Sequence, residues 1–271
     1  MVQILSYGPW AVVTGASSGI GRAFAEQLAE AGLHLVLAAR STDRLEVLGA
    51  ELTREHGVEC RVVTVDLGRE GAAATIVDAT ADLDVGLLIS NAGAGKPGRF
   101  LDQDVADLRR RHTVNSTTHL DLAHAFGRRF AARGRGGMVL VSALGAIHGL
   151  PNMAHESASK AYALNLGEGL HHELASAGVD VMVLLPGNVD TPVMDAYGID
   201  RASMPIRPLP VRTAVREALA AFLRGRATYV PDRRMRVLVR LLPRTLSIRI
   251  NGRMLGRAAR VLAEREAAAS R

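Results

Sequence analysis

The residues best suited to chemistry begin at position 14. Thr14-Gly15-Ala16-Ser17-Ser18-Gly19-Ile20-Gly21 closes an apolar run at 10–14 and leads straight into a helical pattern. Glycines there let the backbone turn tightly and approach a pyrophosphate, which rests on the N–H groups and positive dipole of the helix N-terminus. A glycine triplet alone says little. The strand before it, the helix after it and a second apolar run ending about 20 residues later give it weight. At the end of that second run an NAD site carries an acid for the ribose 2′-hydroxyl. Here Ala39-Arg40-Ser41 stands instead, and Arg22 directly follows Gly21. Two guanidiniums without a carboxylate suit a 2′-phosphate, so the expected cofactor is NADP(H). The alternative, Arg40 as a solvated cation at a strand end, stays open.

Further candidates lie at the ends of later apolar runs. Asp66 and Leu67 follow the third, where a side chain can contact an adenine, and Asn91, Ala92 and Gly93 follow the fourth. Ligands of parallel α/β sheets bind at that carboxyl edge. Of 33 basic residues only Lys96 and Lys160 are lysine, which singles out Lys160. Nine histidines show no metal-ligand spacing, and the single Cys60 excludes a multi-cysteine metal site, so no metal is expected.

The elements that must position these residues are legible. Six apolar runs, at 10–14, 33–39, 60–65, 85–90, 137–142 and 179–185, are continuous rather than alternating, as parallel strands covered on both faces require. Between them, 20–31, 42–56, 102–132 and 153–177 read as helices, the last closed by Gly178. Strand–helix alternation over about 190 residues predicts a Rossmann-type, doubly wound parallel sheet at 1–231. A basic helical extension follows at 232–271. Pro192, Pro205, Pro208 and Pro210 mark 191–210 as a mobile loop; a helix at 211–224 and a short strand at 226–231 come next. From 233 to 268 the pattern is basic and amphipathic, and Pro243 and Gly256 are expected to divide it into short helices.

With 271 residues, 48% hydrophobic and 22% charged, the chain can bury a full core, and wholesale disorder is excluded. No run approaches the ~18 apolar residues of a membrane span, and no basic stretch precedes an apolar one near the start, so a cytoplasmic protein is expected. The net charge of +6 is uneven: residues 199–271 carry 17 Arg and 5 acids, leaving −6 for the rest. The basic tail suits the protein's own body or a second subunit, then a lipid surface. Nucleic acid is disfavoured, because no aromatic residue follows Tyr229 to stack on bases.

In combination these motifs resemble the short-chain dehydrogenase/reductase family over roughly residues 8–195. Thr14–Gly21 is similar to its TGxxxGxG turn, Asn91-Ala92-Gly93 to its NAG motif, and Pro186-Gly187 with Val189 and Thr191 to the segment after its sixth strand. The resemblance implies NAD(P)(H)-dependent redox of small-molecule carbonyls and alcohols, a homodimer or homotetramer, and a Ser–Tyr–Lys–Asn tetrad. Lys160 matches the tetrad lysine and Asn115 its asparagine. Glu156 stands where the tyrosine belongs and Ala143 where the serine belongs, with no gap in register. Ser142, adjacent on a strand, should face the other way, and Ser157 lies about 100° around the helix. His148, Asn152 and His155 are candidate substrate contacts at the pocket rim.

Two lost hydroxyls change the expected chemistry. Glu156, with Lys160 one helical turn away, stays ionised and is a poor acid for carbonyl reduction, while Ala143 cannot polarise a carbonyl oxygen. An iminium ion is already protonated and needs only hydride and a counter-charge. Reduction of a C=N bond is therefore the expected reaction. Three alternatives stand beside it: carbonyl or alkene reduction with Glu156 as acid or base, a non-redox isomerase or cyclase, and a catalytically dead NADP-binding protein.

Overall fold

The computed structural model describes residues 2–204 and 206–269, so Pro205 and the last two residues of the basic tail lie outside it. The chain runs β1 (Trp10–Thr14), α1 (Gly19–Glu30), β2 (His34–Ala39), α2 (Thr42–His56), β3 (Cys60–Thr64), α3 (Ala72–Asp78), β4 (Val85–Ser90), α4 (Val105–His112), α5 (Thr118–Ala132), β5 (Gly136–Val141), α6 (Ala154–Glu173), β6 (Val179–Leu184), β7 (Val189–Asp190), α7 (Pro192–Ala196), β8 (Leu209–Pro210), α8 (Val211–Phe222), β9 (Thr228–Tyr229), α9 (Arg233–Leu241) and α10 (Arg244–Ala269). Seven strands form one parallel sheet in the order β3-β2-β1-β4-β5-β6-β9. The order reverses beside β1, so the carboxyl ends of β1 and β4 frame the crevice where such sheets take ligands.

Alternation along each strand builds two cores. Ala11, Val13, Leu35 and Leu37 pack under Phe24, Leu28, Leu45 and Phe222 of α1, α2 and α8. Val12, Val36 and Leu88 face Leu122, Phe126 and Phe130 of α5 on the other side. Both faces are covered, which is why the strands read as continuous apolar runs.

Three expectations change. The helix expected at 102–132 is interrupted between α4 and α5 by a π turn over Thr113–Thr117, which carries Asn115. The loop expected at 191–210 is folded: β7 pairs with β8, and Arg201 binds Asp190 at 2.7 Å, the Thr191 carbonyl at 3.1 Å and the Asp195 carboxylate. Finally, Pro243 does separate α9 from α10, but Gly256 does not break α10, which continues through it for 26 residues. A Cβ at Gly252 would meet Pro151 at 2.9 Å and one at Gly256 would meet Asn152 at 3.3 Å. The glycines are close-approach points at which the helix docks on the 151–152 turn.

Candidate active site

A cavity of about 610 Å³ opens at the carboxyl edge of the sheet. Its cofactor half is built from the glycine turn. Gly15 and Gly19 hold φ of +65° and +56°, conformations L side chains rarely adopt. A Cβ on Gly21 would lie 2.2 Å from the Gly15 carbonyl oxygen. Ser18 occupies the N-cap of α1 without using its side chain, leaving first-turn N–H groups for a ligand. Thr14 Oγ1 accepts from the N–H groups of Asn91 (2.8 Å) and Ala92 (2.9 Å), and Asn91 Nδ2 donates to the Thr14 carbonyl at 2.8 Å. These bonds lock the ends of β1 and β4 together beneath the turn.

Gly15, Ser17, Ser18, Gly19 and Ile20 line the cavity, as do Arg40, Asp66, Leu67, Asn91, Ala92 and Gly93 on the neighbouring strand ends. Pro186, Gly187, Val189 and Thr191 close its other side. Arg22 does not join them. Its guanidinium binds Glu26 at 2.8 Å, one helical turn on, and Glu51 at 2.9 Å on α2. Arg44 lines the cavity beside Arg40 in its place. The sequence offered a signal for Arg44, because position 44 falls in the first turn of α2, just beyond the β2 end. Asp66 accepts from the Gly68 N–H at 3.1 Å and from Arg110 at 2.7 Å, and those bonds hold its carboxyl below the usual range against the opposing effect of burial.

The reaction half holds Lys160, Asn115 and Glu156. Lys160 Nζ donates to the Val141 carbonyl at 2.9 Å, and burial pushes its pKa down to about 8. Asn115 is fully buried; its Oδ1 accepts from the Ala94 N–H at 2.9 Å while Nδ2 donates to the Ala94 carbonyl at 2.7 Å. The π turn is what swings Asn115 onto this strand end. Ser142 and Ser157 are both committed elsewhere: Ser142 Oγ donates to the Lys160 carbonyl at 2.7 Å and Ser157 Oγ to the Ala154 carbonyl at 3.1 Å. Ala143 itself lines the cavity with a methyl.

Glu156 is not paired with Lys160. Arg111 Nε lies 2.9 Å from Glu156 Oε1; Glu156 is buried and Arg111 largely so, their side chains 5% and 12% exposed. Lys160 turns instead toward β5. Glu156 Oε2 is buried with no hydrogen-bond partner among the described residues. Tyr197, at the end of α7, completes the constellation. Its hydroxyl lies 2.1 Å, and Glu156 Cγ 3.3 Å, from the point a Cβ on Gly95 would occupy. Burial, and then the charge of Glu156, push the Tyr197 phenol up to about 12, so it is a neutral donor at ordinary pH. Leu150, Met153 and Val193 supply apolar wall.

Arg111 and Tyr197 were not anticipated. Arg111 precedes Asn115 by four residues, a helical spacing that could have flagged it; Tyr197 sits in the segment least readable from sequence. The expected substrate contacts His148, Asn152 and His155 do not line the cavity. Asn152, at φ +62°, faces the docked α10, with Nδ2 3.5 Å from the Gly252 carbonyl, and the His155 ring stacks toward His112 at 6.1 Å. No group of three or more metal-ligating side chains occurs among the described residues.

The chain is similar to known proteins over most of its length. The profile described as short chain dehydrogenase matches residues 9–202. A 7beta-hydroxysteroid dehydrogenase of Clostridium sardiniense is 36% identical over 186 residues, 69% of this chain and 71% of that protein. The human inactive hydroxysteroid dehydrogenase-like protein 1 is 34% identical over 192 residues, 69% of this chain and 58% of its own. A short-chain dehydrogenase from Sphingobium yanoikuyae in complex with NADPH superposes with a TM-score of 0.79 at 34% identity, covering 86% of this chain and 92% of that one.

Proposed function

We propose that this chain, which belongs to the short chain dehydrogenase family, is an NADP(H)-dependent oxidoreductase that reduces a C=N bond in an imine or iminium substrate. The cofactor half fits a 2′-phosphorylated dinucleotide: a glycine cradle that a Cβ would fill, uncapped helix N–H groups, and Arg40 and Arg44 with no acid at the end of β2. A relative solved with NADPH supports the same choice. When bound, NADPH supplies the hydride.

One observation carries the choice of substrate: the buried, unpartnered Oε2 of Glu156. A carboxylate oxygen only accepts hydrogen bonds, so the ligand group it would satisfy is a donor, an N–H or an O–H. A carbonyl oxygen brings none at the reacting centre, whereas an iminium N–H does. Arg111 already offsets much of the Glu156 charge, so recognition rests on the N–H···O hydrogen bond more than on the bare counter-charge expected from sequence. As hydride reaches the carbon of an iminium, which an imine becomes by taking a proton from water beforehand, the C=N π pair becomes the nitrogen lone pair and the product is a neutral amine, with no proton to be delivered in that step. That suits a site without the hydroxyl at Ala143.

NADPH consumption with a panel of cyclic imines and matched ketones tests this. Imines should turn over at least tenfold faster. Equal or faster ketone turnover would overturn the reading, and binding of NADPH without oxidation by any imine would favour a dead enzyme. In the same titrations, Arg40→Ala and Arg44→Ala should each weaken NADPH about tenfold and leave NADH unchanged, since a charge-assisted contact contributes roughly 1.5–3 kcal/mol.

A second reading rests on Tyr197. Its phenol could donate to a forming alkoxide, which returns the site to carbonyl–alcohol chemistry of the kind the hydroxysteroid dehydrogenase relative is named for. Tyr197→Phe separates the two. Imine turnover should change by less than threefold, whereas a ketone route that uses this donor should lose about 10²-fold or more, the usual contribution of a positioned acid.

A further inference from the structure

We propose that the α9–α10 elbow is a docking surface for an anionic phospholipid bilayer. Two observations combine here. Val237, Leu238 and Leu241 on α9 and Leu246 and Ile250 on α10 are all exposed, Leu241 to 76%. Their spacings, i to i+4 on each helix, put them on one face of each. The opposite side of α10 is the side already in use: Leu255 and Ala258 are buried, and Gly252 and Gly256 meet Pro151 and Asn152. Packing against the body therefore explains half of this helix and leaves the other half without a cover.

The second observation is charge. Residues 233–260 hold nine arginines and no acid. Arg236 is spent on the Tyr229 hydroxyl and the Val230 carbonyl. Arg233, Arg234, Arg240, Arg244, Arg249 and Arg253 are exposed and form no ion pair among the described residues. An apolar row flanked by cations that form no ion pair among the described residues matches a surface that is anionic at the headgroups and apolar beneath. A second copy fits poorly, because a twofold contact would set arginine against arginine across the same face. Nucleic acid fits poorly too, since no aromatic side chain follows Tyr229 to stack on a base. No helix among the described residues is long and apolar enough to cross a membrane, so the contact is peripheral.

The surface is independent of the reaction proposed above, and its test does not use turnover. Full-length protein is sedimented with vesicles of phosphatidylcholine alone and of phosphatidylcholine with phosphatidylglycerol. Binding is expected to the mixed vesicles, little to the neutral ones, and release is expected at high salt, because exposed charges are screened. Each arginine near such a surface is worth roughly fivefold in partitioning. Arg240→Glu with Arg244→Glu should therefore lower binding at least tenfold. Leu241→Asp with Leu246→Asp should do the same, while both variants keep wild-type NADPH affinity, which shows that they are folded. Failure of the wild type to bind mixed vesicles, or unchanged binding by either variant, would overturn the proposal. So would loss of a dimer in the variants with vesicle binding intact, which would assign the face to a second copy.

Discussion

Gly21→Ala is expected to weaken NADPH binding more than a hundredfold, read by cofactor fluorescence titration. The added Cβ would stand 2.2 Å from the Gly15 carbonyl oxygen and 2.5 Å from Asn91 Nδ2. Neither can yield. Gly15 is fixed by its own positive φ and by its N–H bond to the Ala38 carbonyl at 2.8 Å, and Asn91 is held to Thr14 by the bonds that join β1 to β4. The only relief is for α1 to move off the strand ends, which opens the turn and withdraws the N–H groups a pyrophosphate would use. The loss should therefore fall on affinity far more than on stability, since the sheet core lies below the turn. Wild-type affinity in this variant would mean that the turn does not hold the cofactor. Gly57→Ala, at another positive-φ glycine remote from the cavity, should leave affinity untouched.

Arg111→Met should lower the thermal midpoint by roughly 6 °C or more, because removing one member of a buried ion pair strands the other at a cost of about 3–5 kcal/mol. Glu156 is 5% exposed and Arg111 12%, so water cannot replace the lost partner fully. Arg111→Met combined with Glu156→Leu removes both charges and should recover most of that loss, since a well-packed apolar pair costs little relative to a satisfied ionic one. Imine turnover should fall strongly in both, and in Glu156→Gln, where shape is kept but one acceptor oxygen becomes a donor. A placed hydrogen-bonding group of this kind contributes about 10²–10³ in rate. Calorimetry of wild type, Arg111→Met, Glu156→Leu and the double variant closes the cycle. An Arg111→Met variant as stable as wild type would show the pair to be solvent-screened, and unchanged turnover in Glu156→Gln would make Glu156 a bystander.

The ion pair also marks where reading the sequence stops working. Glu156 and Lys160 are four residues apart on one helix, so sequence alone joins them by the i, i+4 rule. In the folded chain, Lys160 is drawn to the Val141 carbonyl of β5, and Arg111 arrives from α4, 45 positions earlier in the chain, to take the carboxylate. Arg22 is drawn off the cavity wall for the same kind of reason: Glu26, one turn on, and Glu51, 29 residues away, take its guanidinium. Such competitions between charges are decided by which helix lies across which strand, and no local pattern carries that information.

Much else was determined by the sequence itself. The strands at 10–14 and 85–90 and the helix at 42–56 fall where hydrophobic period and caps put them, because a parallel sheet covered on both faces demands continuous apolar runs and its crossovers demand amphipathic ones. The glycine turn was equally legible, since glycine adopts the left-handed φ of positions 15 and 19 without the steric cost a side chain brings, and so was the missing acid at the end of β2. That Ala143 and Glu156 stand where the family resemblance leads one to expect a serine and a tyrosine was a matter of residue identity alone. Tertiary structure decided what surrounds them. Only the packing of α7 shows that Tyr197 brings a phenol to the pocket, only the docking of α10 shows that Asn152 faces that helix, and only the fold shows that Glu156 Oε2 is buried without a partner among the described residues. Side-chain identity is local, whereas desolvation and pairing depend on neighbours that are distant in the chain, and it is these that set what a carboxylate can do.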